Sequence, residues 1–393
     1  MTGIRFGIIA DDFTGAMDTG AQFAGEGAPV RVSLDGQAAE EDAVVVLTTD
    51  SREINAQAAA ERAAQAASAL RGRRLFKKID STLRGHVGAE TLAVLAACGA
   101  DKAVLCSAVP GIGRVIRAGQ LYINGQPLHE TSFGADPGWP ARSADVAERI
   151  GGGAQALGLD VVRGEVLAQA VWASPARLLA ADAESEADLA RLADLLRDPR
   201  LLACGALALG RAWRAVFGDA PAPARAPRLS HGPYLLACGS SNPAARVLAQ
   251  DVARETGAVT LVVAPGRDLP VAAARNALKS RLPVLLQLQL SGAQPVAGGL
   301  ANGPALMAET VRQVCAQALP AGLILMGGET ARSTLHALEA GAVWVHGELA
   351  PGLAWGRLAG GLADRRWLVT QSGGLSAAAS VHALTGCLLD FCE

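Results

Sequence analysis

Short apolar runs alternate with Ala-rich helical stretches along this chain, and few architectures accept that rhythm. Phe6 to Ala10 (FGIIA) stops at Asp11-Asp12, and Val30 to Leu34, Ala43 to Leu47, Leu75 to Ile79 and Ala103 to Cys106 follow. Between them lie segments such as Asn55 to Leu70 (NAQAAAERAAQAASAL), which read as helices. Continuous apolar strands separated by helices predict a parallel sheet covered on both faces. Asp219 to Pro227 (DAPAPARAP) interrupts the rhythm and reads as an extended linker, because alternating Pro cannot continue a helix. The pattern restarts at Tyr234 to Cys238, Val259 to Val263, Val284 to Leu290, Leu323 to Met326 and Trp367 to Thr370. The expected fold class is therefore α/β, with two domains, 1–218 and 229–393, each a mainly parallel sheet flanked by helices. A chain of 393 residues, 50% hydrophobic, also exceeds what one compact core accommodates. Gly151 to Gly153 reads as a surface turn.

Composition removes several function classes. A net charge of −2 gives no electrostatic footprint for nucleic acid. The seven Cys show no metal spacing, and Cys98, Cys106, Cys204 and Cys238 lie in or beside apolar runs, so buried reduced thiols are expected. The opening MTGIRFGIIADD reads as a strand and lacks the pattern of a signal peptide. No apolar run is long enough to span a bilayer, and the expected location is cytoplasmic. The six His are scattered, with His336 and His382 lacking partners at metal spacing and His129 near Glu130 in a polar loop. No metal ligand set is expected. Ala183 to Asp188 reads as a solvated helix start, and the dispersed Trp and Phe form no stacking platform. A homo-oligomer is compatible with this composition.

Chemistry concentrates where strands end. Asp11 and Asp12 close the first strand just before a helix, and ligands of open α/β sheets sit beyond such carboxyl ends. Either carboxylate can bind substrate hydroxyls or act as general base. Capping of the helix by one acid is the plain alternative, and it leaves the other unexplained. Lys77-Lys78-Ile79-Asp80-Ser81-Thr82-Leu83-Arg84-Gly85 places cations, an acid and two hydroxyls in one turn after another strand. Such a turn can hold a carboxylate or phosphate through backbone N–H groups and Arg. Arg52, after the strand ending at Leu47, can pair with an acid group bidentately.

The second half repeats a different pattern. Gly327-Gly328-Glu329-Thr330, Ser372-Gly373-Gly374 and Gly239-Ser240-Ser241-Asn242 each follow a strand. Three such turns in one domain suggest a nucleotide cradle. No G-x-x-x-x-G-K-[ST] is present, which excludes a P-loop, and no G-x-G-x-x-G supports a dinucleotide fold.

With these motifs in view, the chain resembles the four-carbon acid sugar kinase family. The carriers are IADDFTGAMDTGAQFA at Ile9 to Ala24 and KKIDSTLRGHVGAE at Lys77 to Glu90, then GSSNP at Gly239, GGETAR at Gly327, GELAPG at Gly347 and SGG at Ser372. They run over nearly the whole chain. The resemblance implies an N-terminal domain for the sugar acid, a C-terminal domain for ATP with Mg²⁺, and an active site in the interdomain cleft. It implies that Asp11, Arg52, Lys78, Asp80, Ser81, Thr82 and Arg84 hold the acid. Ser240, Gly327, Gly328, Glu329, Thr330 and Gly373 would hold ATP, and Asp12 would either bind the substrate or act as the base on the acceptor hydroxyl. Gln371 and Leu375 stand where the family usually has Lys and an aromatic residue, and Gly113 to Arg117 differs from its Thr-rich stretch. Asp18 to Phe23 is closer to threonate kinases than to 3-oxo-tetronate kinases, with erythronate as the further alternative. Two readings from other classes are a nicotinamide-dependent hydroxy-acid dehydrogenase and a non-catalytic sugar-acid sensor. Stabilisation by ATP–Mg²⁺, by NAD or by acid alone separates the three.

Overall fold

The computed structural model describes residues 4–39, 41–136, 138–218, 221–224, 232–240, 242–289, 303–372 and 378–389. Its strands are β1 (Phe6–Ala10), β2 (Val30–Ser33), β3 (Val44–Thr48), β4 (Arg74–Lys78), β5 (Lys102–Cys106), β6 (Arg114–Arg117), β7 (Gln120–Ile123), β8 (Gln126–Pro127) and β9 (Gln155–Leu157). They continue as β10 (Leu178–Ala181), β11 (Leu201–Gly205), β12 (Tyr234–Cys238), β13 (Val259–Val263), β14 (Val284–Leu288) and β15 (Gly322–Met326). The last three are β16 (Ala342–Ala350), β17 (Leu353–Ala359) and β18 (Trp367–Gln371). The chain divides into two compact units, Met1–Phe23 with Gly36–Ala220, and Ala24–Asp35 with Pro221–Glu393. The segment Ala24–Asp35 thus departs from the expected run of 1–218. The cause is β2, which pairs antiparallel with β16, Val30 opposite Val345 and Ser33 opposite Ala342.

In the first unit the strand order is β3–β1–β4–β11–β5–β10–β9, and every pairing is parallel. FGIIA is buried along its whole length because helices cover both faces. The helix Ala56–Ala69 shows how composition selects packing. Asn55 caps it by accepting from the Ala58 N–H, a contact worth about 1 kcal/mol. Ala59, Ala63, Ala66 and Ala67 form its buried face, whose small side chains let the helix Val87–Cys98 approach closely. On the opposite face Trp213 anchors an aromatic cluster with Phe6, Phe23, Phe76 and Phe217, and its indole N–H donates to the Leu196 carbonyl at 3.0 Å. A small antiparallel sheet, β6–β7–β8, accompanies this unit.

In the second unit the order is β13–β14–β12–β15–β18–β17–β16–β2. The first five strands pair in parallel and the remainder antiparallel. The hairpin β16–β17 has no counterpart in the expected strands. A register shift between Val345 and Gly347 and polar residues within AVWVHGELA break the apolar continuity that marks the others. Cys106, Cys204, Cys238 and Cys315 are buried free thiols, whereas Cys98, expected inside, is exposed at the end of its helix. The acidic run around residue 185 does start a helix, but Asp188 is buried, completing a capping box with Ser185 and pairing with Arg163 at 2.8 Å. Of the expected linker only 221–224 fall within the described residues, and they carry no helix or strand. No described helix is long and apolar enough to cross a membrane.

Candidate active site

In each sheet the chain reverses direction across a central strand. From β1 it reaches β3 on one side and β4 on the other, and from β12 it reaches β14 on one side and β15 on the other. Loops leaving the two strands at such a reversal splay apart and open a ligand crevice. The expected motifs sit at these two places.

In the first unit Ala10 is in register with both Thr48 and Lys78, so the turns after β1, β3 and β4 begin at one level. Arg52 is their hub. Its Nη2 lies 2.9 Å from Asp11 Oδ2, 3.1 Å from Asp12 Oδ1 and 3.8 Å from Asp80 Oδ1. Its Nε also donates to Asp11 Oδ2 at 3.0 Å. Gly85, at φ +91°, brings its backbone so near that a Cβ would stand 3.2 Å from Asp11 Oδ2.

The two adjacent acids behave differently. Asp12 caps the helix Phe13–Phe23, with Oδ1 accepting from the Gly15 N–H at 3.0 Å and Oδ2 from the Thr14 hydroxyl at 2.8 Å. Burial pushes its carboxyl up, but Arg52, Lys78 and Thr14 outweigh burial and hold it below the ordinary value. Its side chain remains 22% exposed, against 4% for Asp11. Asp11 Oδ1 is buried without a hydrogen-bond partner among the described residues, and burial lifts that carboxyl above its ordinary value despite Arg52. Capping therefore explains Asp12, and Asp11 anchors Arg52.

Asp80 organises the second turn. Its Oδ2 accepts from the Thr82 hydroxyl, the Thr82 N–H at 3.1 Å and the Arg84 N–H at 3.3 Å. The Arg84 guanidinium grips it in a fork, Nε to Oδ2 at 3.0 Å and Nη2 to Oδ1 at 2.9 Å. Burial opposes ionisation, yet Arg84 and Arg52 hold Asp80 well below the ordinary carboxylate range. Asp80 and Thr82 thus engage each other, and Arg84, 27% exposed, is the cation this turn presents. Lys78 Nζ donates to the Ile79 carbonyl at 2.7 Å and would stand 3.0 Å from a Cβ at Gly15. Ser81 turns to Arg114, whose Nη1 donates to its hydroxyl. Asp136 lies 3.9 Å from Arg84 Nη1. Nothing in the sequence singles out Asp136, because it falls in an irregular Gly- and Pro-containing loop without periodicity.

In the second unit Cys238, Met326 and Gln371 stand in one register across β12, β15 and β18. The turns that leave them meet closely. A Cβ on Gly239 would overlap the Thr330 hydroxyl, and one on Gly327 would stand 3.3 Å from the Ser240 Cβ. Gly327, at φ +103°, adopts a backbone that L side chains disfavour. The helix Gly328–Ala337 begins there behind a glycine N-cap, which has no side chain to take its first-turn N–H groups and so suits that turn to an anion. Thr330 is buried in that turn, and Glu329 is exposed beside it. Gln371 is not in the turn but closes β18, buried, with its carbonyl accepting from the Gly327 N–H at 3.3 Å. The Gly347–Gly352 stretch forms the end of the β16–β17 hairpin, and its Gly352 carbonyl accepts from the Ser372 N–H at 3.0 Å. Gly373 and Leu375 lie outside the described residues. Among the described residues no cluster of three or more His, Cys, Asp or Glu side chains forms a metal site.

Comparison with known proteins also divides the chain in two, though with Ala24–Asp35 on the N-terminal side. Residues 6–213 match a family model described as a sugar-binding N-terminal domain, and residues 240–375 match a nucleotide-binding C-terminal domain. The chain is 32% identical to the D-threonate kinase of Bordetella bronchiseptica over 95% of both chains. It is 34% identical to that of Cupriavidus necator over 88% of both. The D-erythronate kinase of Heliobacterium modesticaldum is 30% identical over 93% of both. Among solved structures, a Salmonella typhimurium protein described as a putative tRNA synthase aligns with a TM-score of 0.76 at 20% identity, covering 98% of this chain and 99% of that one. At that identity the likeness concerns the fold alone.

Proposed function

The chain belongs to the four-carbon acid sugar kinase family, and on that premise we propose that it transfers the terminal phosphoryl group of ATP to the 4-hydroxyl of D-threonate. The observation that carries the reading is the contrast at the two strand reversals. One presents carboxylates and Arg suited to a polyhydroxy acid, and the other presents glycine turns and an uncapped helix suited to phosphates. D-threonate is favoured because two of the similar full-length kinases act on it by name. D-erythronate and 3-oxo-tetronate are the alternatives.

Phosphoryl transfer depends on positioning and charge stabilisation more than on covalent chemistry. In this reading Arg84 takes the acid's carboxylate, since its Nη1 is beyond hydrogen-bond reach of Asp136. Arg52 and Asp11 fix the turns. Asp12, ionised and the most exposed of the three carboxylates, orients the acceptor hydroxyl and receives its proton. Ser240 and the Gly327–Thr330 turn hold the nucleotide phosphates, with Gly373 assigned the same task. The residues fit ATP–Mg²⁺, since Mg²⁺ needs few protein ligands when phosphates supply the rest, and Glu329 offers an exposed carboxylate beside the cradle. When bound, the ion would neutralise charge on the transferring phosphoryl group. A coupled ADP-release assay across four-carbon acids tests the proposal. Turnover with D-threonate above its stereoisomers supports it, and ADP release with none of them contradicts it.

A further inference from the structure

The consecutive lysines of β4 point to opposite faces of the sheet, as strand geometry requires. Lys78 goes to the acid pair and the helix that follows it, whereas Lys77 is buried beneath the site. There its Nζ lies 2.7 Å from Glu90 Oε2 on the helix Val87–Cys98, with both side chains 1% exposed. Nothing in the proposed chemistry uses this pair. A pair so deeply buried is poor evidence of stabilisation, because desolvation offsets its attraction and apolar replacements are often neutral. It therefore invites an explanation in what it holds.

Glu90 holds the loop that carries Arg52. Its Oε1 accepts from the Ser51 hydroxyl at 3.0 Å. The Ser51 hydroxyl also lies 2.7 Å from that of Thr49, whose own hydroxyl donates to the Ala10 carbonyl at 3.0 Å. The Ser51 N–H donates to the Asp11 carbonyl at 3.0 Å, and the Thr49 N–H to the Ala10 carbonyl at 2.8 Å. Between them Asp50 is held at φ +44°, a conformation that a non-Gly residue keeps only where its surroundings over-determine it. Lys77 also carries the buried positive charge behind Asp11. The Lys77–Glu90–Ser51 chain thus joins β4, the helix Val87–Cys98 and the turns after β1 and β3 directly below the Arg52 hub.

We infer that the buried Lys77–Glu90 pair is a positioning device for acceptor binding, acting through Ser51 on Arg52 and Asp11. The inference rests on the kinase reading for its kinetic consequence but not for its structural one. The double variant K77M/E90L removes both charges together and so leaves neither buried alone. It should keep a wild-type melting profile while the KM for D-threonate rises about ten- to a hundredfold, as expected when binding groups shift by an ångström or so. The KM for ATP should not change. A folded double variant with wild-type KM for the acid overturns the inference and leaves the pair a packing element. Ser51→Ala removes the hydroxyl that links Glu90 to this loop, together with its contact to Thr49, and serves if the double variant does not fold. Its KM for the acid should also rise, and an unchanged value overturns the inference equally. Amide hydrogen exchange at position 51 reads the positioning without substrate. Protection should fall in both variants, and retained protection contradicts the device even if the wild-type protein phosphorylates no four-carbon acid. That last result alone would sink the kinase reading instead.

Discussion

At the end of β4 in the first unit, the Asp80 carboxylate collects two backbone N–H groups, a hydroxyl and a guanidinium. At the end of β15 in the second unit, Gly327 and Gly328 open a helix with no side-chain cap. The two turns hold equivalent places in their sheets, yet one is organised by ionised side chains and the other by bare backbone. Charged side chains distinguish a hydroxyl from a carboxylate, and they respond to mutation and to pH. Backbone donors at a helix start recognise any phosphate and respond to added bulk instead. The contrast predicts that substitutions in each unit damage the handling of a different ligand.

The largest effect should come from Asp12→Asn. Asn caps helices as well as Asp does, so folding should survive. Turnover should fall about a hundredfold or more, the usual range for losing a proton acceptor, with ATP affinity intact. Steady-state kinetics with circular dichroism on the same sample checks both halves, and near wild-type turnover would move the acceptor role to another group.

Next comes Arg84→Ala. Losing a charge-assisted contact of about 1.5–3 kcal/mol should weaken D-threonate binding ten- to a hundredfold. Asp80 would retain Arg52 at 3.8 Å, so the turn keeps a cationic partner. Gly327→Ala should act more mildly and on the other ligand. Forcing φ near +103° on Ala costs about 1–3 kcal/mol of stability and sets a methyl against Ser240. A rise of about tenfold in the KM for ATP is expected, with the KM for the acid unmoved.

The smallest effect concerns pH. Asp80 is held well below its ordinary value by Arg84 and Arg52 against the penalty of burial. A depressed carboxylate contributes stability above its unfolded pKa of about 3.9 and loses it as pH falls toward the folded value. Asp80→Asn should therefore be destabilised at neutral pH, with the gap to wild type closing below about pH 4. Denaturant unfolding at pH 7 and pH 3 tests this, and a constant gap would show that the ion pairs at Asp80 are not its source.

The two units also differ in how legible they are. Strands such as Phe6–Ala10 and Tyr234–Cys238 coincide with their apolar runs because burial on both faces leaves no charged residue inside. The clusters at Asp11-Asp12 and Lys78–Arg84 are visible because charged residues at apolar strand ends have few structural reasons to be there. Their division of labour is not visible. That Asp12 caps a helix while Asp11 grips Arg52 depends on side-chain direction, and Arg52 lies 41 residues from Asp11. The transfer of β2 to the second unit is hidden for the same reason. Its four residues look like any short strand, and only the partner β16, itself interrupted by a bulge, reveals the exchange.

The central claim is that the acid and the nucleotide are held by chemically different turns in different units. Calorimetric titration of Arg84→Ala and Gly327→Ala, each with D-threonate and with a non-hydrolysable ATP analogue, tests it most directly. The account predicts a crossed result, in which Arg84→Ala loses acid affinity and keeps the nucleotide while Gly327→Ala does the reverse. Equal losses for both ligands in both folded variants would contradict it.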